Sequence, residues 1–269
     1  MEDKKLRIMM IGAHPDDCDL TCGGIAIKYS KLGHKVKFVS VTNGDAGHQD
    51  HTREELAKIR AEEARQSALT AGIEYEVLDF HDGNLKVDIP TREKILGVIR
   101  EFNPDLIFTH RPNDYHPDHR YTSILVQDAS YLVMVPKVCP NVPYLKHQPI
   151  ILYMYDTFKK PNKFFPDITV GIDDVAEQKR KMLSCHRSQV YEWLPWIGSF
   201  QEGQRDTDEK AIYDSLLDDD IECAKECRSQ LIEKYGVQIG ESIKYAEAFE
   251  ISEYGGSLSK EEINRYFPF

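Results

Sequence analysis

Leu6-Arg7-Ile8-Met9-Met10-Ile11-Gly12-Ala13-His14-Pro15-Asp16-Asp17-Cys18-Asp19 decides how this chain is read. Residues 6–12 are an apolar run that ends in a glycine, the pattern of a strand buried on both faces. A histidine and three acids follow at once, where a strand meets a loop. Working outward, residues 23–32 read as a helix stopped by Gly33. Residues 36–42 read as a second strand. Residues 52–71 read as a long helix, with Thr52 as N-cap, Glu55 three residues on, and Gly72 behind it. A third strand at 75–80, a helix at 91–102 entered through Pro90, a fourth strand at 105–110 and a helix at 118–134 complete a β-α repeat.

That alternation predicts an α/β fold of Rossmann-like type: an open, mostly parallel sheet with helices on both faces. A proline-rich stretch, 135–149, follows. Strands are expected at 150–155, 168–172 and 243–251. A helix is expected at 173–185 with Asp173 or Asp174 as cap, and at least one more within 207–234. The later segments are too short and scattered to hold a core of their own, so residues 1–269 are expected to form a single domain.

Composition narrows the function. The chain has 269 residues, 41% of them hydrophobic, enough for one sizeable core. The formal net charge of −11 argues against nucleic acid and for a small-molecule substrate. Six cysteines without a C-x-x-C pair read as reduced thiols. The charged start, residues 1–7, lacks the apolar core of a secretory signal, and no stretch is long enough to span a bilayer, so the cytoplasm is the expected location.

The chemistry sits in two motifs: residues 13–19 after the first strand, and His116-Pro117-Asp118-His119 after the fourth. In a sheet of order 3-2-1-4-5 those two strands are neighbours, and ligands bind at the crevice beyond their C-terminal ends. Catalytic zinc takes three His or carboxylate ligands and keeps one position open. His14, Asp17 and His119 supply such a set, one metal per chain, and iron, manganese or cobalt suit the same ligands. Asp16 is left over as a general base. His116 is left to face a developing oxyanion, with Asp118 available to orient its ring. Taken alone, an Asp-Asp pair after a strand is as easily a turn or helix cap.

At these residues the sequence resembles the PIG-L/LmbE-like de-N-acetylases, whose motifs A-H-P-D-D and H-x-D-H match residues 13–17 and 116–119. Thr42-Asn43-Gly44, Arg60 with Glu63, and Tyr245-Ala246-Glu247 extend the likeness over most of the chain. The resemblance implies zinc-dependent removal of an N-acyl group, an acetyl above all, from an amino-sugar-like substrate such as an N-acetylglucosamine conjugate. It implies the same roles for His14, Asp16, Asp17, His116 and His119, makes Arg60 a substrate contact, and suggests a homo-oligomer. Arg53, on the same helical face, reads as an exposed helix charge. The sequence departs from the pattern at Cys18, where acidity is delayed to Asp19, and at Asp114 and Tyr115, where some members carry a mobile tyrosine.

His48, His51, His186 and the segment 191–196 could approach the substrate, but each is as readily a loop histidine, a helix-end histidine or packing. Two rival functions stand beside deacetylation: a metal-dependent phosphoesterase, which needs more ligands than one three-residue set, and a non-catalytic sugar- or nucleotide-binding module. The turn after the first strand has no G-x-G-x-x-G to support a dinucleotide.

Overall fold

Arg7–Gly12 forms the strand β1, and it pairs in parallel with a strand on each side. The computed structural model describes residues 5–202 and 208–269; residues 1–4 of the charged start, and Thr207 at the edge of an expected helical stretch, lie outside the described residues. After β1 come α1 (Asp17–Lys31), β2 (Lys35–Thr42), α2 (Arg53–Ala71), β3 (Glu74–Phe80), α3 (Ile89–Phe102), β4 (Leu106–Thr109) and α4 (Pro117–Leu132). The second half adds β5 (Ile150–Met154), β6 (Ile168–Gly171), α5 (Ala176–Ser184), a π-helical turn (Ser188–Trp193) and α6 (Leu194–Glu202). It continues with α7 (Glu209–Ser215), α8 (Asp218–Glu226), α9 (Arg228–Tyr235), α10 (Val237–Ser242), β7 (Ala246–Ile251) and α11 (Lys260–Tyr266).

Among the described residues one seven-stranded sheet holds the strands in the order β3-β2-β1-β4-β5-β7-β6. The expected 3-2-1-4-5 order is its first part. β7 inserts antiparallel between β5 and β6, so the sheet is mostly parallel. Alternation along β1 splits the core: Ile8 and Met10 pack on one face with α1 residues such as Ile25, while Met9 and Ile11 pack on the other with Ile95 and Leu125 of α3 and α4. Each such side chain contributes about 1.5–3 kcal/mol by leaving water. No helix of the described residues is long and apolar enough to cross a membrane.

The capping box of Thr52 and Glu55 forms, and Gly72 closes α2 in the left-handed region at φ 70°. Two expectations are corrected. α1 starts at Asp17, not at 23, because Asp17 and Asp19 sit in its first turn where acids suit the helix dipole. α5 starts at Ala176 without a side-chain cap. Asp173 instead accepts the backbone N–H groups of Lys244 and Tyr245, pinning the approach to β7. The proline-rich stretch 135–149 is bound to the domain by Arg100 of α3, in keeping with a single domain. That guanidinium is 3% exposed and donates to the carbonyls of Leu132, Val133, Val135, Val138, Cys139 and Val142.

Candidate active site

β1 and β4 end side by side, with Ile11 opposite Thr109. The residues just beyond them therefore meet. Gly12 permits the turn: a Cβ there would lie 2.8 Å from Asp17 Cβ. Asp17 Oδ2 accepts the backbone N–H of His14 at 2.7 Å. His14 Nδ1 lies 3.1 Å from His119 Nε2 and 3.4 Å from Asp17 Oδ2, and His119 Nε2 lies 3.3 Å from Asp17 Oδ1. The three residues expected to bind a metal thus turn their donor atoms toward one another.

The outer nitrogens face carboxylates. His119 Nδ1 is 3.1 Å from Asp114 Oδ1. His14 Nε2 is 3.3 Å from Asp82 Oδ1 and 3.6 Å from Asp118 Oδ2. Burial opposes charge on His14, yet Asp17, Asp118 and Asp82 hold its pKa well above the ordinary value. Burial likewise opposes charge on His119, and Asp17 and Asp114 lift it to about 9. Asp17 is buried, which alone would raise its pKa, but the imidazoles of His119, His110 and His14 hold it well below the usual range. Carboxylates closing around imidazoles in this way make a site for positive charge.

His110, one residue past β4, joins the cluster without having been expected there. It accepts the Ala13 N–H at 3.1 Å, lies 3.1 Å from Asp17 Oδ2 and stacks on His119 with ring centroids 4.1 Å apart. Ligand atoms of His14, His116 and His119, and those of Asp17, His110 and His119, lie within 4.8 Å of one another.

His116 is the N-cap of α4. Its Nδ1 accepts the backbone N–H of Asp118 at 3.2 Å, so a neutral ring carries its proton on Nε2. Burial, then the charges of His14 and His119, lower its pKa and keep it neutral. This corrects the expected role of Asp118. Its carboxylate does not hold His116: it accepts the Gly83 N–H at 2.7 Å and faces His14.

Arg60, expected to contact substrate, lines the cavity. It is 2% exposed and donates from Nη2 to Asp16 Oδ2 at 3.0 Å and to the Pro15 carbonyl, and from Nη1 to the Gly44 carbonyl. From the cavity wall it fixes Asp16. Gly44, at φ 67°, is left-handed, and a Cβ there would meet Arg60 Nη1 at 2.5 Å. Arg53 pairs with buried Asp45 at 2.9 Å, which also receives His81. Its side chain is half exposed, as expected of a helix charge, but it anchors the loop between β2 and α2.

Behind the site, Asp19 takes the acidic place that Cys18 leaves. Cys18 is fully buried among apolar groups, whereas Asp19 lies 3.1 Å from His186 Nε2 and accepts Ser67 Oγ. His186 is fully buried and so does not touch the cavity. Glu63 accepts Ser188 N and Oγ, both at 2.7 Å, and ties α2 to the π-helical turn. His48 hydrogen-bonds Glu192 at 3.0 Å on the rim, with His51 beside it.

A cavity of about 840 Å³ opens over these groups; Asp16, Asp82, Tyr115, His116 and Asp156 are among its lining residues. Tyr115 is 72% exposed and stands at the mouth, its ring 5.7 Å from that of His116. Sequence reasoning missed His110, Asp82 and Asp114. The available signal was position alone: each lies within a few residues of the C-terminal end of β3 or β4.

The chain matches the family described as PIG-L, GlcNAc-PI de-N-acetylase, over residues 9–130. It is 31% identical over 204 residues to a diacetylchitobiose deacetylase from Thermococcus kodakarensis, covering 71% of this chain and 74% of that one. It is 28% identical over 194 residues to a probable N-acetyl-alpha-D-glucosaminyl L-malate deacetylase 2 from Bacillus cereus, covering 68% of this chain and 83% of that one. The solved N,N'-diacetylchitobiose deacetylase from Pyrococcus horikoshii, in complex with an inhibitor, superposes with a TM-score of 0.70. It is 25% identical and covers 92% of this chain and 84% of its own.

Proposed function

The chain belongs to the PIG-L family of de-N-acetylases, and from that premise we propose that it removes the acetyl group from a small N-acetyl amino sugar, using one zinc ion held by His14, Asp17 and His119. The reaction is hydrolysis of an amide, so the phosphoesterase and non-catalytic alternatives fall away. The observation that carries the site assignment is the convergence of two imidazole nitrogens and one carboxylate within 3.4 Å of one another, each imidazole backed by a second carboxylate. These residues fit zinc by donor type and by their outer partners.

Zinc held there would supply Lewis-acid polarisation of the acyl carbonyl and acidify water toward a pKa of about 7. Asp16 takes a proton from the attacking water. Its side chain is 14% exposed toward the cavity and is held in place by Arg60. His116 offers its Nε2–H to the oxyanion that develops on the carbonyl. Asp114, Asp82 and Asp118 keep the ligand rings from turning. The expected cytoplasmic location belongs to the same reading, and six free thiols agree with it, as does a single catalytic unit built on one sheet.

The test is metal content together with release of free amine from N-acetylglucosamine and diacetylchitobiose, in wild type and Asp16→Asn. We expect about one zinc per chain in both proteins and a loss of about two or more orders of magnitude in kcat in the variant. Loss of zinc from Asp16→Asn would overturn its assignment as a base outside the metal's ligands. A zinc-loaded wild type inert on every N-acetyl sugar would overturn the function.

A further inference from the structure

The cavity over the site is unevenly lined. Its polar side is acidic: Asp16, Asp82, Asp114, Asp156 and Asp219 face it, and Asp219 is exposed. Among the described lining residues the lysines and arginines are Arg60 and Arg111 alone. Both are already paired. Arg60 holds Asp16 at 3.0 Å, and Arg111 holds Asp156 at 2.8 Å with Glu250 at 3.5 Å. Away from the zinc that His14, Asp17 and His119 would hold, an anionic group entering here meets carboxylates and no lysine or arginine that is not already paired, an arrangement that disfavours like charge.

The other side is apolar. Trp193 ends the π-helical turn, and Leu194 and Ile197 follow in α6; all three line the same cavity as His14, Asp16 and His119. Trp193 stacks on Trp196 with centroids 5.2 Å apart, and Phe200 meets Trp196 edge-on at 4.8 Å. Residues 194–200 include no buried side chain; Leu194 is 48% and Ile197 37% exposed. Apolar groups left facing a concave space are the usual lining of a ligand site. The cavity volume of about 840 Å³ is in the upper range for a drug-sized ligand, more than one sugar ring occupies.

We propose that Trp193, Leu194 and Ile197 form a subsite for an uncharged, apolar aglycone, aryl or alkyl, carried by the amino sugar, and that the pocket discriminates against aglycones bearing carboxylate or phosphate. The sugar half of this substrate rests on the de-N-acetylase reading. The apolar wall opens onto the same cavity as the reacting groups, so its occupant is part of the molecule being hydrolysed.

The test compares kcat/KM for methyl, phenyl and carboxymethyl glycosides of N-acetylglucosamine, in wild type and in the double variant Leu194→Ser, Ile197→Ser. Both side chains are partly exposed, and zinc content serves as the folding control. In wild type the phenyl glycoside is favoured over methyl by about tenfold or more, and the carboxymethyl glycoside falls below methyl by about tenfold. In the double variant the phenyl-to-methyl ratio falls toward unity. Equal use of phenyl and methyl by wild type, an unchanged ratio in the variant, or preference for the carboxymethyl glycoside overturns the proposal. Calorimetric binding of phenyl and methyl glucosaminide, the amine products, reads the same ratio without turnover. Absence of all amine release would then count against the deacetylase reading alone, and the binding ratio would still decide the subsite. Sedimentation of both proteins covers the remaining occupant: an oligomer that dissociates in the variant, with the ratio unchanged, assigns the wall to a second copy and overturns the proposal.

Discussion

Asp114 lies against His119 as Asp82 and Asp118 lie against His14: a carboxylate sets which way an imidazole turns. Partners of this kind raise ligand basicity and fix the ring that meets the metal. Asp114→Asn should therefore weaken zinc binding by about 10–100-fold, measured by competition with a chelator of known affinity. An unchanged affinity would mean that His119 is held by packing alone. The proposed ligands were legible as a cluster, because His14, Asp17 and His119 sit in dense motifs whose residue types have few other uses together. Asp114 and Asp82 were not legible, because a single acid near a strand end looks like any turn residue until the fold brings a histidine to it. The hold of Arg60 on Asp16 was not legible for a related reason. An arginine on a helix says nothing of its direction, and here it points inward to Asp16.

Arg100 of α3 ties the end of α4 and the loop after it to α3. Arg100 neutralises the carbonyl-rich C-terminal end of α4, a part that water would otherwise serve. Arg100→Met keeps the volume and removes the charged donors: the Val138 and Val142 carbonyls lose their partner, while those of Leu132, Val133, Val135 and Cys139 each keep one backbone N–H. We expect a loss of about 3 kcal/mol or more in unfolding free energy, read from urea denaturation. A loss below about 1 kcal/mol would show that the loop finds other donors. Elements of the first half were legible because apolar runs, Thr52 with Glu55, and Gly72 punctuate them plainly. The start of α1 was not, because its first turn consists of the same acids that read as a site. The cap of α5 was misplaced because Asp173 spends its carboxylate on the distant backbone of Lys244 and Tyr245, a contact that local spacing does not reveal.

Across the whole molecule, Lys179 joins four elements. Its fully buried ammonium donates to the Leu20 carbonyl of α1, to Asp220 of α8 at 2.6 Å and to Glu247 of β7 at 2.8 Å, while Glu247 also accepts the N–H groups of Gly24 and Ile25. Two carboxylates share one cation. Burial, against the pull of Lys179 and with the push of Glu247, moves Asp220 from the ordinary 3.8 up to about 7. Between those values the folded chain binds a proton that the unfolded chain has released, so this group's contribution to stability declines as pH rises through the window. Asp220→Asn mimics the protonated form. Its stability relative to wild type should therefore climb as pH rises from about 4 to about 7, measured by urea midpoints at each pH. A difference that is flat with pH would place the shared proton elsewhere. The central strand order was legible because each β-α unit adds a strand by a right-handed crossover. The antiparallel insertion of β7 between β5 and β6 was not, because strands so far apart in the chain leave no local mark of their pairing.

His116 begins a helix and points into the cavity, and the two facts are one. The amide that claims its Nδ1 belongs to the backbone of α4, so the tautomer is written by chain direction and not by any side chain that substitution could remove. Inserting one residue between His116 and Pro117 would take that amide away from the ring and free its proton to turn from the substrate, although both histidines of the motif would still be present. Fraying of one helical turn, long before the sheet lets go, is then enough to silence the donor.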